Sequence, residues 1–358
     1  MSAHPMIRDW RKQVRDGLLP ELHGPQVNAL AELRFAMTMA EHCHRGKVAA
    51  MAPGDARPAS AERRLERRLA NNRLDPDAAW PQLARAVLGG WAGGPIVLIR
   101  DETPHRNNLR CRKLTMAYRH RALPLLWVCY ALGGPPEPRP KMIRTLFRQA
   151  AACLPQGAVV TLLADRGLAG PQVVDACRER GWHYVLRLQG PTRVRMSNGQ
   201  EGSVADLAPY PGASWRGAAQ VFKKSGWRTA AVAAGGWKDC DGPWLLVSDR
   251  NDGPRLDRRY AKRVWTEELF RDEKSSGFPW EQSHVTDPGH AARLVLLMAL
   301  ATILALGLGS RVIQAGLRRF LESGVKRTLS LFQIGLRWLR FCVNHDRPLP
   351  KNLSPVPS

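Results

Sequence analysis

Two short runs of this sequence end in the same way. GGPIVLIRDET carries an unbroken aliphatic stretch from Ile96 to Ile99 and then Asp101. AVVTLLADRG repeats the pattern from Ala158 to Leu163 and then reaches Asp165. A continuous aliphatic run of this length reads as a strand buried on both faces. A carboxylate delivered into such surroundings is costly unless it is paired or bound to a metal. If the two strands are sheet neighbours, their acids converge and leave oxygen ligands for Mg²⁺. Leu123–Leu132 (LPLLWVCYAL) and WHYVLRL read as further strands, and KMIRTLFRQAAACL and PQVVDACRERG as helices. This alternation predicts an α/β core around a mixed sheet.

On either side of that core the texture changes. Residues 1–90 read as helices. One is an amphipathic segment from Val27 to His44, and another is SAERRLERRLANNRL, where Ser60 is placed to cap and Leu65 and Leu69 form an apolar stripe among arginines. A short Arg-rich helix after a turn suits a helix-turn-helix DNA reader, or a basic helix packed on the rest of the chain. Residues 190–252 alternate short strand-like pieces with turn signals such as SNGQEG, KKSG and KDCDG, and Ser197-Asn198-Gly199 is a hairpin cue. The chain then returns to helices over Tyr260–Gly277, Ala291–Leu308 and the segment after Ser310. The apolar run Leu294–Gly309 is short for a membrane span and reads as a buried core helix. Residues 346–358 read as a disordered tail.

A formal net charge of +23 over 358 residues, with the basic residues spread along the whole chain, points to a polyanionic partner. An Arg-rich host composition is the other source of such a balance. The seven cysteines (Cys43, Cys111, Cys129, Cys153, Cys177, Cys240 and Cys342) show no CxxC spacing, as expected of free thiols in a reducing compartment. His42-Cys43-His44 has no second cluster to complete a metal site and reads as a polar helix end. The opening MSAHPMIRDWRKQ lacks an apolar signal region, so a soluble, cytoplasmic location is expected.

The stretch YAKRVWTEELFRDEKSSG supplies a third carboxylate. On a regular helix, Tyr260, Arg263, Glu267 and Lys274 fall within an arc of about 60°. Glu268, Asp272 and Glu273 point elsewhere, and Ala261, Trp265 and Leu269 form an apolar stripe. Geometry alone leaves an Arg263–Glu267 ion pair on a surface helix as a competing reading. Together with Asp101 and Asp165, Glu267 would complete a site for two-metal, in-line phosphoryl transfer.

The spacing Tyr260-x2-Arg263-x3-Glu267-x6-Lys274 resembles the signature of a large group of bacterial insertion-sequence DDE transposases. DET at 101–103 and LLADRG at 162–167 resemble that group's two aspartate motifs, and SAERRLERRL its helical N-terminal segment. The resemblance covers nearly the whole chain. It implies a ribonuclease-H-like core over 91–189 and 253–345, interrupted by a β-rich insertion at 190–252. A helical DNA-binding region at 1–90 would precede the core. It also implies that Asp101, Asp165 and Glu267 are catalytic and bind two Mg²⁺ ions, with Mn²⁺ as a substitute, while Tyr260, Arg263 and Lys274 contact DNA. The partners implied are double-stranded DNA, as terminal inverted repeats and target, and a second copy of the chain in a synaptic homodimer, with no membrane. The setting implied is the bacterial cytoplasm, at the nucleoid. A flipped base could stack on one of Trp215, Trp227, Trp237 or Trp244, and Arg100 is read as exposed or touching DNA. The competing readings are a catalytically silent DNA-binding element product and a structure-selective nuclease on the same fold.

Overall fold

The aliphatic run at Ile96–Ile99 forms the centre of strand β1 (Pro95–His105), and the second run forms β4 (Val159–Ala164). The two lie side by side and parallel, with Ile99 opposite Leu163 and Arg100 opposite Ala164. The computed structural model describes residues 5–358 apart from 55, 107, 136, 237–241, 254, 351–354, 356 and 358, with side chains from residue 9 onward.

On one side of β1 lie β2 (Leu109–Tyr118) and β3 (Arg121–Ala131), joined as antiparallel neighbours, and on the other β4 and β5 (His183–Arg187), joined in parallel. The sheet does not end at β5. Residues 190–252 supply β6 (Arg193–Met196), β7 (Glu201–Ser203), β8 (Ser214–Val221), β9 (Arg228–Gly235) and β10 (Trp244–Ser248). β10 pairs antiparallel with β5, so one mixed sheet of ten strands runs β3-β2-β1-β4-β5-β10-β9-β8-β6-β7. A turn at Asn198-Gly199 closes the β6–β7 hairpin, with Gly199 at positive φ. The mixed sheet with its helices is consistent with the ribonuclease-H-like core that the resemblance implies.

β2 was not anticipated. Its sequence LRCRKLTMAY breaks the apolar pattern with three basic residues, yet Arg112 and Lys113 are buried because each meets a carboxylate: Arg112 meets Glu102, and Lys113 meets Glu273. Arg100 is buried too, neither exposed nor free to reach DNA. It donates to the Leu168 carbonyl at 2.5 Å, and burial pulls its pKa down to about 9.

Five helices precede the sheet: α1 (Pro5–Lys12), α2 (Gly24–Ala40), α3 (Arg45–Ala50), α4 (Pro58–Ala70) and α5 (Pro76–Leu88). Leu65 and Leu69 of α4 are buried, but the helix starts earlier than Ser60. Pro58 opens it, its fixed φ suiting the first turn. After β3 come α6 (Arg139–Ala151) and α7 (Pro171–Arg178), and after β10 come α8 (Arg255–Ala261) and α9 (Val264–Arg271). The segment expected as one helix from Tyr260 to Gly277 is therefore interrupted. It tightens at Lys262–Arg263, where Arg263 donates to the Tyr260 carbonyl, and it widens into a π-helical turn at Asp272–Ser276.

α10 (Pro288–Gln314) contains the long apolar run. By length and composition it would pass for a membrane span, but almost the whole run is buried inside the protein. Around it pack α2, α4, α5 and, beyond the short α11 (Arg318–Leu321), α12 (Leu331–Asn344). Residues of α2, α5, the sheet, α10 and α12 belong to a single apolar cluster. Arg293 of α10 donates to the Leu69 carbonyl near the end of α4, and to the Asn72 side chain. The N-terminal helices are thus built on the same core as the sheet. Of the expected disordered tail, residues 351–354, 356 and 358 lie outside the described residues, while Leu349 packs against the core.

α10 and α12 touch backbone to backbone. A Cβ on Gly335 would collide with the Ala305 carbonyl, and one on Gly309 with that of Leu331. Gly335→Ala is expected to lose about 3 kcal/mol by overpacking, read as a lower urea midpoint. An unchanged midpoint would mean the two helices sit further apart than described.

Candidate active site

Asp101 and Ile99 share one face of β1, because side chains alternate along a strand. Ile99 packs there with Leu163, Val185, Leu246, Leu256 and Tyr260 in a small apolar cluster separate from the main core. Continuing the β1–β4 register by one residue sets Asp101 beside Asp165, which follows the last residue of β4. Neighbouring strands lie about 4.8 Å apart, so the two carboxylates belong to one site. α8 and α9 cross that same face and bring the third acid.

Arg263 holds the group together. Its Nη1 lies 3.0 Å from Asp101 Oδ2, and its Nη2 bonds Glu267 Oε1. Tyr260 donates its hydroxyl to Asp165 Oδ1 at 3.2 Å. The Arg263–Glu267 ion pair therefore exists, but as part of a wider cluster: the same guanidinium reaches an aspartate on a central strand. Asp101 and Arg263 are largely buried (14% and 16% exposed), while Glu267 is open to solvent at 48%.

Burial pushes the Asp101 carboxyl up to about 6. Arg263 and the Glu102 amide oppose this, and the charges of Asp165 and Glu267 add to it. Burial works against the Arg263 charge, yet Tyr260, Glu267, Asp101 and Asp165 together hold its pKa above the ordinary value. The Tyr260 hydroxyl is likewise raised, by burial and by Asp165.

The donors are carboxylate oxygens, the chemistry that Mg²⁺ and Mn²⁺ prefer. Among the described residues, no three His, Cys, Asp or Glu side chains already stand as a closed metal-holding group. Arg263 lies between the acids instead. Asp101 and Glu267 share one guanidinium with Asp165 beside them, which gathers carboxylate oxygens of the kind a hard cation takes. His42 Nδ1 accepts from the His44 amide, in keeping with a polar helix end. The six described cysteines are free, and Cys240 lies outside the described residues.

Lys274 is not brought to the acids. It lies 3.5 Å from Glu281 and near His105, four residues beyond Asp101 on β1. Lys274 lies within the π-helical turn, where there are more residues per turn than in an α-helix, so the phase counted along a regular helix does not hold there. Among the insertion tryptophans, Trp244 lies edge-on to Tyr260 at 4.9 Å. Trp227 instead stacks under Arg195 and Trp215 packs against the main core, while Trp237 lies outside the described residues.

Several residues that support the site were missed. Lys113, opposite Asp101 across the β1–β2 pair, bonds both oxygens of Glu273 at 2.5 and 2.6 Å. Arg121 of β3 pairs with Glu268 and Asp272, and the hydroxyls of Thr115 and Thr266 meet at 3.2 Å. Their only signal in the sequence is the run RCRKLT, with charge inside what is otherwise strand text.

Residues 101–304 match the family model described as the transposase DDE domain, a match that begins at Asp101 and takes in more than half of the chain. No curated protein matches the chain.

Burial raises the Asp272 carboxyl to about 7, against the pull of Arg121. A carboxyl whose folded pKa lies above its unfolded value of about 3.9 favours the folded state at low pH. That contribution is complete below the unfolded pKa and is lost as pH rises through about 7. Between pH 4 and 7 Asp272→Asn is expected to remove a downward stability slope of about 1 kcal/mol per pH unit. Urea titrations at each pH measure it, and identical slopes in the two proteins would exclude Asp272 as the source.

Proposed function

Because the chain belongs to the transposase DDE domain family, we propose that it is a DNA transposase acting on insertion-sequence ends by metal-dependent cleavage and strand transfer. The observation that carries this reading is the bridge from Asp101 through Arg263 to Glu267, with Tyr260 holding Asp165 beside it. A protein that only binds DNA has no use for three carboxylates gathered on one face, since they repel phosphate.

In this reading Asp101, Asp165 and Glu267 are the catalytic groups and the oxygen donors for two Mg²⁺ ions, or Mn²⁺ in their place. When bound, the cations supply Lewis acidity at the scissile phosphate and at the attacking and leaving oxygens. The chain's own residues place the DNA. Arg263 carries a charge that the acids no longer need once cations are present, and its planar fork suits a phosphate. Tyr260, buried and close to Asp165, fixes that side of the site and offers a hydroxyl to the same strand. Lys274, in the π-helical turn and near His105 further along β1, is set to hold DNA beyond the reacting position. Trp244, against Tyr260, is the described insertion tryptophan nearest to where a displaced base would lie.

The working organisation has a DNA-binding region at 1–90, a catalytic core at 91–189 and 253–345, a β-rich insertion at 190–252 and a tail at 346–358. Arg63 and Arg67, exposed on α4, are the candidate end readers, since Arg68 is occupied by Glu32. Terminal repeats and target DNA are the expected substrates. Two copies of the chain would act in one synapse, in the bacterial cytoplasm at the nucleoid.

Asp101→Asn, Asp165→Asn and Glu267→Gln should each lower metal-dependent cleavage and joining of DNA ends by at least about 1,000-fold. Binding of uncleaved ends should be unchanged or tighter, since a negative charge leaves the phosphate path. Gel assays with Mg²⁺ and with EDTA measure both. Nicks without joined products would favour a structure-selective nuclease, and end binding without any metal-dependent product a silent DNA-binding protein. Arg63→Ala/Arg67→Ala should weaken binding to the ends and lower the salt slope by roughly 2. An unchanged slope would take α4 off the DNA.

A further inference from the structure

We propose that the buried Lys113–Glu273 ion pair is a positioning device for the site: it sets where Glu267 and Lys274 stand relative to Asp101 without touching DNA or metal. The inference rests on the roles proposed above for Glu267 and Lys274.

The pair joins two critical places. Lys113 is the cross-strand partner of Asp101, so both side chains lie on the same face of the sheet. Glu273 lies in the π-helical turn, nearly two turns beyond Glu267 and directly before Lys274. The ammonium is completely buried and the carboxylate nearly so, and both carboxylate oxygens are engaged. Burial alone would lower the Lys113 pKa, but Glu273 raises it, so the lysine stays charged.

Stability is a poor explanation for such a pair. Replacing a buried ion pair with apolar side chains of similar size is often neutral or stabilising, because the desolvation of two charges offsets their attraction. Apolar packing, however, tolerates sliding, while two hydrogen bonds to one carboxylate fix both distance and rotation.

Geometry around the turn supports a role in register. The Asp272 carbonyl accepts from the Gly277 and Phe278 amides, closing the wide turn. Gly277 is pressed against the Phe332 ring, where no Cβ fits. Arg121 ties Asp272 and Glu268 to β3, and Thr266 meets Thr115 on β2. α9 and the turn after it are thus fastened to β2 and β3 by polar ties on the far side, with Glu267 left on the open side. Lys113–Glu273 is the innermost of these ties and the one nearest Asp101 in the sheet.

The test compares the full-length native chain with Lys113→Met/Glu273→Met, which removes both charges and keeps volume. Melting temperature, affinity for DNA ends and single-turnover cleavage at saturating DNA are read for each. The effect of Lys274→Ala on release of the cleaved end is measured in both backgrounds. The double variant is expected to melt at or above the native temperature and to bind ends within about twofold. It should cleave on the order of 100-fold more slowly, the scale of a reacting group misplaced by about 1 Å. Lys274→Ala should speed end release in the native background and add less than about twofold in the double variant. Native cleavage with an undiminished Lys274 effect overturns the proposal. If the double variant does not fold, Glu273→Asp serves instead, keeping the charge while shortening the reach. Slow cleavage by that folded variant supports positioning; native cleavage, or loss of fold here as well, overturns it. Should Glu267→Gln and Lys274→Ala leave the native chain unaffected, the functional reading itself falls, and this proposal with it.

Discussion

Three carboxylates on one face of a sheet repel one another, and the Arg263 guanidinium is what allows them to share that face in the folded chain. It spans Asp101 and Glu267 while Tyr260 holds Asp165. Without a cation at that point, the largely buried Asp101 would face a second carboxylate unpaired, which is costly. With it, one buried guanidinium serves two carboxylates carried by different elements, Asp101 on β1 and Glu267 on α9. The tightened turn at Lys262–Arg263 gives Arg263 this reach, because it sets the residue between α8, which carries Tyr260, and α9, which carries Glu267.

That arrangement depends on a rigid frame. β1 and β4 run parallel in the middle of a ten-strand sheet, which holds Asp101 and Asp165 on backbone hydrogen bonds rather than on loops. α10 is buried almost all round and joins the sheet, α2 and α12 into one apolar cluster. The N-terminal helices are part of this body, and Arg293 fastens α4 to α10. A helix proposed to read DNA ends is therefore tied to the central sheet by packing through α10, with no flexible linker visible between them among the described residues.

The opposite side of the β1 motif shows how a short sequence serves two purposes. In Asp101-Glu102-Thr103 successive residues face opposite ways. Asp101 faces α9, while Glu102 turns to the other face and neutralises Arg110 and Arg112, with Tyr130 beside it. The charges of β2 are thus divided between two faces, each with its own carboxylate. A strand with three basic residues can lie in the middle of a sheet only on those terms.

Much of this was open to a reader of the residues. The paired aliphatic runs disclose β1, β4 and their aspartates, because a short apolar stretch with an acid after it has few other uses in a core. The length of the apolar run Leu294–Gly309 discloses a core helix, and the spacing of Tyr260, Arg263 and Glu267 discloses a shared face, since α-helical geometry is local. The phase of Lys274 relative to Glu267 was not legible, because the π-type turn that contains it is invisible in the letters DEKSS. β2 was missed because Arg112 and Lys113 read as surface until their partners, Glu102 and Glu273, are known. Those partners lie 10 and 160 residues away. Local periodicity and composition, then, determined most of the strands and helices and which acids follow the aliphatic runs. Only the tertiary structure decided which charges meet, because a buried ion pair is a property of two distant segments and of the dry space between them.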